Sequence, residues 1–333
     1  MLVEQPLSTL VLSGPVRRDW LNGLLTCDVK ALEAGQGAWG LALTKQGKIL
    51  SDVNVVATSE ALYLGVPARA AQVLFETLSQ FLIMEDAELA APSAELAWIT
   101  LHGPHATALA ARLAVLPQSL AGSDHDRHER PGATRTSGEA GGLAGGAEVT
   151  RGDAAGLVMT EFGAWGAIDW TGLGGAAVVV PRARVPALLA AAPGDGHVVI
   201  GAAADWERLR IERAVPVYGT DYDDRDNPHD ASLERRAVSW TKGCYLGQEV
   251  VCMQDMRGKL KRRVVTLELE AGTASDAGTV VDAEGNDVGE VTSRTFSELL
   301  GKPLVLARVS AKALETGRLF IAGRPAALVA TPP

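Results

Sequence analysis

The run SWTKGCYLGQE at residues 239–249 gathers the densest set of reactive residue types in the chain. Gly243 and Gly247 bracket a Cys244–Tyr245 pair, and Lys242 stands two residues ahead of the thiol. Paired glycines permit left-handed backbone and close approach by a ligand or another segment. A nearby ammonium and local backbone N–H groups would favour thiolate over thiol, which would make Cys244 a functional sulfur. Gln248 and Glu249 add amide and carboxylate partners. The same pattern has a second reading, in which Cys244 is a small buried residue in a tight corner. Cys252 follows eight residues later, a spacing that matches no common zinc or cluster motif, so no metal held within the chain is expected. The histidines show no paired metal spacing, and neither a P-loop nor a dinucleotide fingerprint is present. Arg257, Lys259, Lys261, Arg262 and Arg263 form a basic cluster. Strand alternation would place Arg257, Lys259, Lys261 and Arg263 on one face, either to attract an anionic tail or an acidic partner or to guard a sheet edge.

The octapeptide KGCYLGQE resembles the signature of the YgfZ family of folate-binding proteins, relatives of the glycine-cleavage T-protein (aminomethyltransferase). RDWLNGLLTCDV, LTKQGKILSDVNV, LRIERAVPVYGTDY, RGKLKRRVV and GEVTS extend the resemblance over most of the chain. It implies an α+β, three-domain aminomethyltransferase-like cloverleaf around a central channel, with a ferredoxin-like unit and a C-terminal β-barrel. It also implies tetrahydrofolate as cofactor and a role supporting iron–sulfur cluster assembly or repair. Folate and iron–sulfur assembly or client proteins would then be the partners, and Cys244, at the channel mouth, the functional thiol assisted by Lys242. The rival reading is a folate-dependent one-carbon transferase or demethylase of the aminomethyltransferase type.

The resemblance nominates further residues. Asp52 would contact the folate or a bound amine, although Ser51 stands where related aminomethyltransferases carry a second acid. Trp206 would stack on the pterin or aminobenzoyl ring. Arg210 would hold the glutamyl tail by a bidentate pair or form a structural ion pair, with Glu212 beside it on the same helix. Ala177 replaces an acid that faces the pterin in the transferases. Met253 departs from an arginine common in the family.

The elements that must position these residues are readable from patterning. Residues 17–25 place Trp20, Leu21, Leu24 and Leu25 on one helical face. Residues 37–67 read as three strands, followed by a helix begun at Pro67. LYLGVPARAAQVLFETL and AAVVVPRARVPALLAAA share a strand, proline, basic residues and an apolar helix, which suggests a duplicated unit. Residues 219–239 are polar and turn-rich, and the chain beyond about residue 260 reads as short strands with a hairpin tip at 284–287. The expected division is 1–50 and 151–250 as a discontinuous folate-binding α+β domain, 51–117 as an inserted ferredoxin-like domain, 118–150 as a flexible linker, and 257–333 as the barrel.

Composition bounds the rest. Of 333 residues, 47% are hydrophobic and 21% charged, enough for a sizeable core. The net charge of −9 disfavours nucleic acid as a partner. Three cysteines rule out a disulfide framework and fit a reducing compartment. The absence of a long apolar run and of a basic leader points to a cytoplasmic protein that does not span a membrane.

Overall fold

The computed structural model describes residues 1–114, 163–192, 198–258, 260–270 and 278–329. The expected linker at 118–150 lies outside these residues, as do His197 and Lys259. In chain order the first part runs β1 (Leu2–Gln5), β2 (Leu7–Ser13), α1 (Arg17–Asn22), β3 (Gly37–Leu43), β4 (Ile49–Ala57), β5 (Ala61–Pro67), α2 (Ala68–Ser79), β6 (Glu88–Leu89), β7 (Leu96–His102) and α3 (Ala106–Ala114). The middle part holds β8 (Ala164–Ala167), β9 (Gly175–Pro181), α4 (Val185–Ala191), α5 (Ala203–Glu212) and α6 (Gln248–Arg257). The last part holds β10 (Arg262–Leu269), β11 (Thr279–Val281), β12 (Asp287–Ser297), β13 (Lys302–Ser310), α7 (Ala311–Thr316), β14 (Leu319–Ile321) and β15 (Arg324–Leu328).

Two antiparallel sheets form the body, ordered β3-β4-β5-β2-β6 and β1-β7-β9-β8. Their inner faces meet: Trp39, Val56 and Tyr63 of one pack into a single core with Trp98, Ala177 and Val179 of the other. Each outer face is covered by helices. Leu21 of α1 and Leu74 and Leu78 of α2 lie over Val53, Val55 and Leu64. Ala110 of α3 and Leu188 of α4 lie over Ile99 and Val178. Burial on both faces explains why β5 and β9 read as continuous apolar runs rather than alternating ones. Gly65 marks the closest approach of the two sheets. A Cβ there would stand 2.6 Å from the Trp98 indole, so even alanine would force the sheets apart.

The two strand–proline–helix units take the same local form in separate sheets. Pro67 (φ −53°, ψ 130°) ends β5 and caps α2, and Pro181 (φ −51°, ψ 132°) ends β9 ahead of α4. The expected divide at residue 50 runs through β4, which pairs with β3 and β5 on either side of it in sequence.

Strands β10-β13-β12-β11-β14-β15 close into a barrel, since β15 pairs back onto β10. Its interior is filled by Leu267, Val280, Ala307, Val309 and Ile321. Closure leaves no unpaired edge. The basic cluster does not share one strand face. Arg257 ends α6, whereas Arg262 and Arg263 open β10 and pair with the carboxylates of Asp226 (2.7 Å) and Glu234 (2.5 Å). Those acids belong to the segment 219–239, which is polar as expected yet buried at Asp221, Asp226, Asp230 and Glu234, because it seals the body to the barrel. Among the described residues no helix is long and apolar enough to cross a membrane.

Candidate functional site

Strand β4 carries the sequence Ser51-Asp52-Val53-Asn54-Val55. Alternation sends Val53 and Val55 toward the helices, which leaves Asp52 and Asn54 on the face turned to the second sheet. There they line a cavity of about 430 Å³ together with Trp39, Trp170, Trp206 and Tyr218. The size suits a small-molecule site. Asn54 is fully engaged: its Oδ1 accepts from the Trp170 indole at 2.8 Å, and its Nδ2 donates to the Gly65 carbonyl at 3.2 Å.

Asp52 is different. Its Oδ1 is closed off from water and has no hydrogen-bond partner. The indole N–H of Trp39 and the hydroxyl of Tyr222 are near it, yet neither meets a partner at hydrogen-bonding geometry. Burial pushes the Asp52 carboxyl up to about 6, against the smaller opposing pulls of backbone N–H, Trp39 and Arg69. Burial likewise raises Tyr222 well above the ordinary tyrosine range. A carboxyl poised near 6 with an unfilled acceptor can take or hold a proton on a bound amine. Ser51, where a second acid was conceivable, is buried and donates to the Asp52 carbonyl at 2.8 Å, so it takes no part in the cavity.

Trp206, on α5, lines the cavity as an aromatic wall. It is stacked on His102 at 4.7 Å and 19°, and His102 meets Trp170 edge-on at 5.7 Å. Burial lowers His102 to about 4, so the ring behind Trp206 is neutral at pH 7. Arg210 faces away from the cavity. Its guanidinium donates to Glu207 (2.7 and 2.6 Å), Asp221 (2.8 Å), Val215 (3.4 Å) and Ser293 of the barrel (2.7 Å). With all five donors so engaged and 1% exposure, it ties α5 to the barrel, and it has no donor left for a glutamyl tail. Glu212, half-buried at the end of α5, does not line the cavity. Ala177 is fully buried in the core of β9, opposite Thr100.

The KGCYLGQE segment lies elsewhere. Lys242 is buried, and its Nζ donates to the carbonyls of Asn22 (2.6 Å), Leu25 (2.8 Å) and Cys27 (2.8 Å). That ammonium therefore pins the chain after α1, and it is committed there rather than to Cys244. It also lies 5.3 Å from the Tyr245 ring, and burial raises the Tyr245 phenol to about 12. Gly247 (φ +82°) sits where any Cβ would meet the Thr44 carbonyl at 2.5 Å, so the second motif glycine seats the 44–47 hairpin against α6. A Cβ on Gly243 would meet nothing within 4 Å. Gln248 and Glu249 form the first turn of α6. Cys244 is exposed, which overturns the buried-filler reading. It does not line the cavity. The buried thiol is Cys27, whose pKa burial drives to about 12.

The structure thus brings Asp52 and Trp206 together and places Lys242, Cys244, Arg210 and Glu212 outside the cavity. It adds Trp39, Asn54, Trp170, Tyr218 and Tyr222, which the sequence reading did not single out. One signal was available: polar residues at 52 and 54 of an otherwise apolar strand share a face.

Comparison with known proteins gives the same architecture. Residues 5–123 match the GCVT N-terminal domain, and residues 262–332 match the glycine cleavage T-protein C-terminal barrel domain. The mitochondrial aminomethyltransferase of Canis lupus familiaris is 27% identical over 319 residues, covering 92% of this chain and 71% of the relative. An aminomethyltransferase of Nostoc sp. is 36% identical over 112 residues, a stretch that is 34% of this chain and 30% of the relative's length. The crystal structure of the glycine cleavage system aminomethyltransferase T from Bartonella henselae superposes with a TM-score of 0.71 at 19% identity, covering 98% of this chain and 84% of that one. With both terminal domains of the T-protein present and the fold shared along its length, the chain belongs to the GcvT-like family.

Proposed function

We propose that the chain binds tetrahydrofolate in the 430 Å³ cavity and carries out one-carbon transfer of the aminomethyltransferase type, with Asp52 as the proton-handling group. The observation that carries this reading is the cavity floor. Asp52 and Trp39 line the cavity, and Tyr222 lies against Asp52 outside that lining; Asp52 Oδ1, Trp39 Nε1 and Tyr222 Oη are three buried polar atoms without partners. Asp52 is half-buried and lines the cavity beside Trp39, so a ligand with matching donors would meet its carboxyl there. An aminopyrimidine ring has that complement, and its flat face suits the indoles of Trp206 and Trp170. Folate supplies the nitrogen atoms that carry a one-carbon unit. The protein's part is to hold the ring between aromatic walls, exclude water, and keep Asp52 ready to accept a proton above pH about 6.

Ser51 and Ala177 remove two acids of the transferase pattern, so Asp52 would act without a neighbouring carboxylate. Turnover of a methylamine donor with tetrahydrofolate, abolished in Asp52→Asn, is the expected result. Undiminished turnover in that variant would refute the assignment.

A second reading keeps the folate site but gives the chain the YgfZ-type role in iron–sulfur cluster assembly or repair, with assembly or client proteins as partners. One observation favours it: Cys244 is exposed on a corner pinned by Lys242, outside the cavity and open to another protein. Loss of a cluster-dependent activity in cells carrying Cys244→Ala would support this role, and full activity would remove it.

A further inference from the structure

The charges lining the cavity are arranged along its depth. Asp52 lies at the floor with its closed-off oxygen, whereas Arg69, in the first turn of α2, is exposed. Glu4 and Glu207 complete the charged lining, and each has a counter-ion: Glu4 pairs with Arg182 at 2.5 Å and Glu207 with Arg210 at 2.6 Å. Arg69 forms no ion pair with an acidic side chain among the described residues. Its guanidinium donates to the backbone carbonyls of Tyr218 and of Gly219 (2.9 Å) and lies 5.6 Å from the Tyr218 ring. These carbonyls take two of its five N–H donors. The backbone at Gly219 is shaped around it: φ is +75°, and a Cβ there would overlap the guanidinium carbon. The result is a cation held at a fixed place beside the cavity with donors to spare.

We propose that Arg69 determines ligand specificity at this cavity by binding the carboxylate of a ligand's tail while the ring end is seated at Asp52. The inference rests on the folate reading and adds to it a selecting residue. It follows from charge placement: a carboxyl at the floor favours a ring rich in N–H donors, and an exposed guanidinium with donors to spare favours an anionic tail. A planar guanidinium suits a carboxylate through two parallel hydrogen bonds. The motif reading gave no hint of this residue, because Arg69 reads as one more polar position on an amphipathic helix.

The test is anaerobic calorimetry on the full chain with two probes, tetrahydrofolate and 6-methyltetrahydropterin, which shares the ring and lacks the tail. The wild type is expected to bind the tailed probe about tenfold or more tightly than the tail-less one. Arg69→Gln is expected to lose that preference while binding the tail-less probe within about twofold of wild type, and Arg69→Lys to regain part of it. If Arg69→Gln keeps the full preference, or weakens both probes alike as a merely loop-holding residue would, the inference is wrong and the folate reading stands. Wild-type binding of both probes without preference has the same meaning. If the wild type binds neither probe, the folate reading falls and takes the inference with it.

Discussion

Two ionisable groups in this molecule, the buried Lys242 and the half-buried Asp52, meet opposite fates. Lys242 is enclosed by three carbonyl oxygens at 2.6–2.8 Å, so its three donors are all met even though burial lowers its pKa. Asp52 is enclosed by a cavity that leaves one oxygen without a partner and two nearby donors unused. The first arrangement holds a corner together. Burial shifts both groups away from their charged forms, but only the second leaves an oxygen without a partner. The conspicuous octapeptide is thus largely architectural apart from its exposed thiol, while the poised chemistry sits in an unremarked strand.

The contrast predicts unequal responses to substitution. The largest effect is expected at Arg210, a satisfied group whose removal would strand Asp221, 0% exposed at its side chain. Arg210→Met should cost about 3–5 kcal/mol, read as a lowered unfolding midpoint, and Asp221→Asn in the same chain should restore part of it. Lys242→Met comes next, at about 3 kcal/mol, because three buried carbonyls lose their donor. A thermal midpoint unchanged in Lys242→Met would break the comparison, since the corner would then not depend on the ammonium.

Asp52 should behave in the opposite sense. Its folded pKa, about 6, lies above the unfolded value of about 3.9. The folded protein therefore binds more protons between those values, and the contribution of Asp52 to stability falls as pH rises from about 4 to about 6. Asp52→Asn should remove that slope and leave the chain at least as stable at pH 7, as denaturation curves across the range would register. A variant less stable at pH 7 would mean that the carboxylate is satisfied in a way the geometry does not show.

The smallest effect belongs to Cys244→Ser, expected within about 0.5 kcal/mol of wild type because the side chain is exposed. A thiol reagent should label Cys244 first in the native protein and Cys27 only on unfolding, since Cys27 is buried and its thiol is raised to about 12. Early labelling of Cys27 would show that the corner opens.

Much of this was legible in the sequence, for physical reasons that differ by region. The β-rich tail is legible because short apolar runs end in turn residues such as those at 284–287, and the resemblance to the family adds that it closes as a barrel. The strand–proline–helix units are legible because a proline fixes the same backbone angles wherever it caps a helix. The stretch 219–239 reads as polar and turn-rich, and its burial as a seal between body and barrel is not legible in that pattern. Its partners, Arg210, Arg263 and Arg308, lie on other elements, so no local spacing reveals them. Lys242 reads as a partner of the thiol two residues away, whereas its acceptors stand more than 200 residues earlier. The cavity is likewise assembled from Trp39, Asp52, Trp170 and Trp206, and only the shared face of Asp52 and Asn54 was available to a reader of the chain.

The most direct test of the central claim, that the ligand site is the cavity at Asp52 and not the motif at Cys244, is tetrahydrofolate binding measured anaerobically by calorimetry on wild type, Asp52→Asn and Cys244→Ala. The account predicts that Cys244→Ala binds as wild type does and that Asp52→Asn binds about tenfold or more weakly. Binding retained in Asp52→Asn and lost in Cys244→Ala would contradict it.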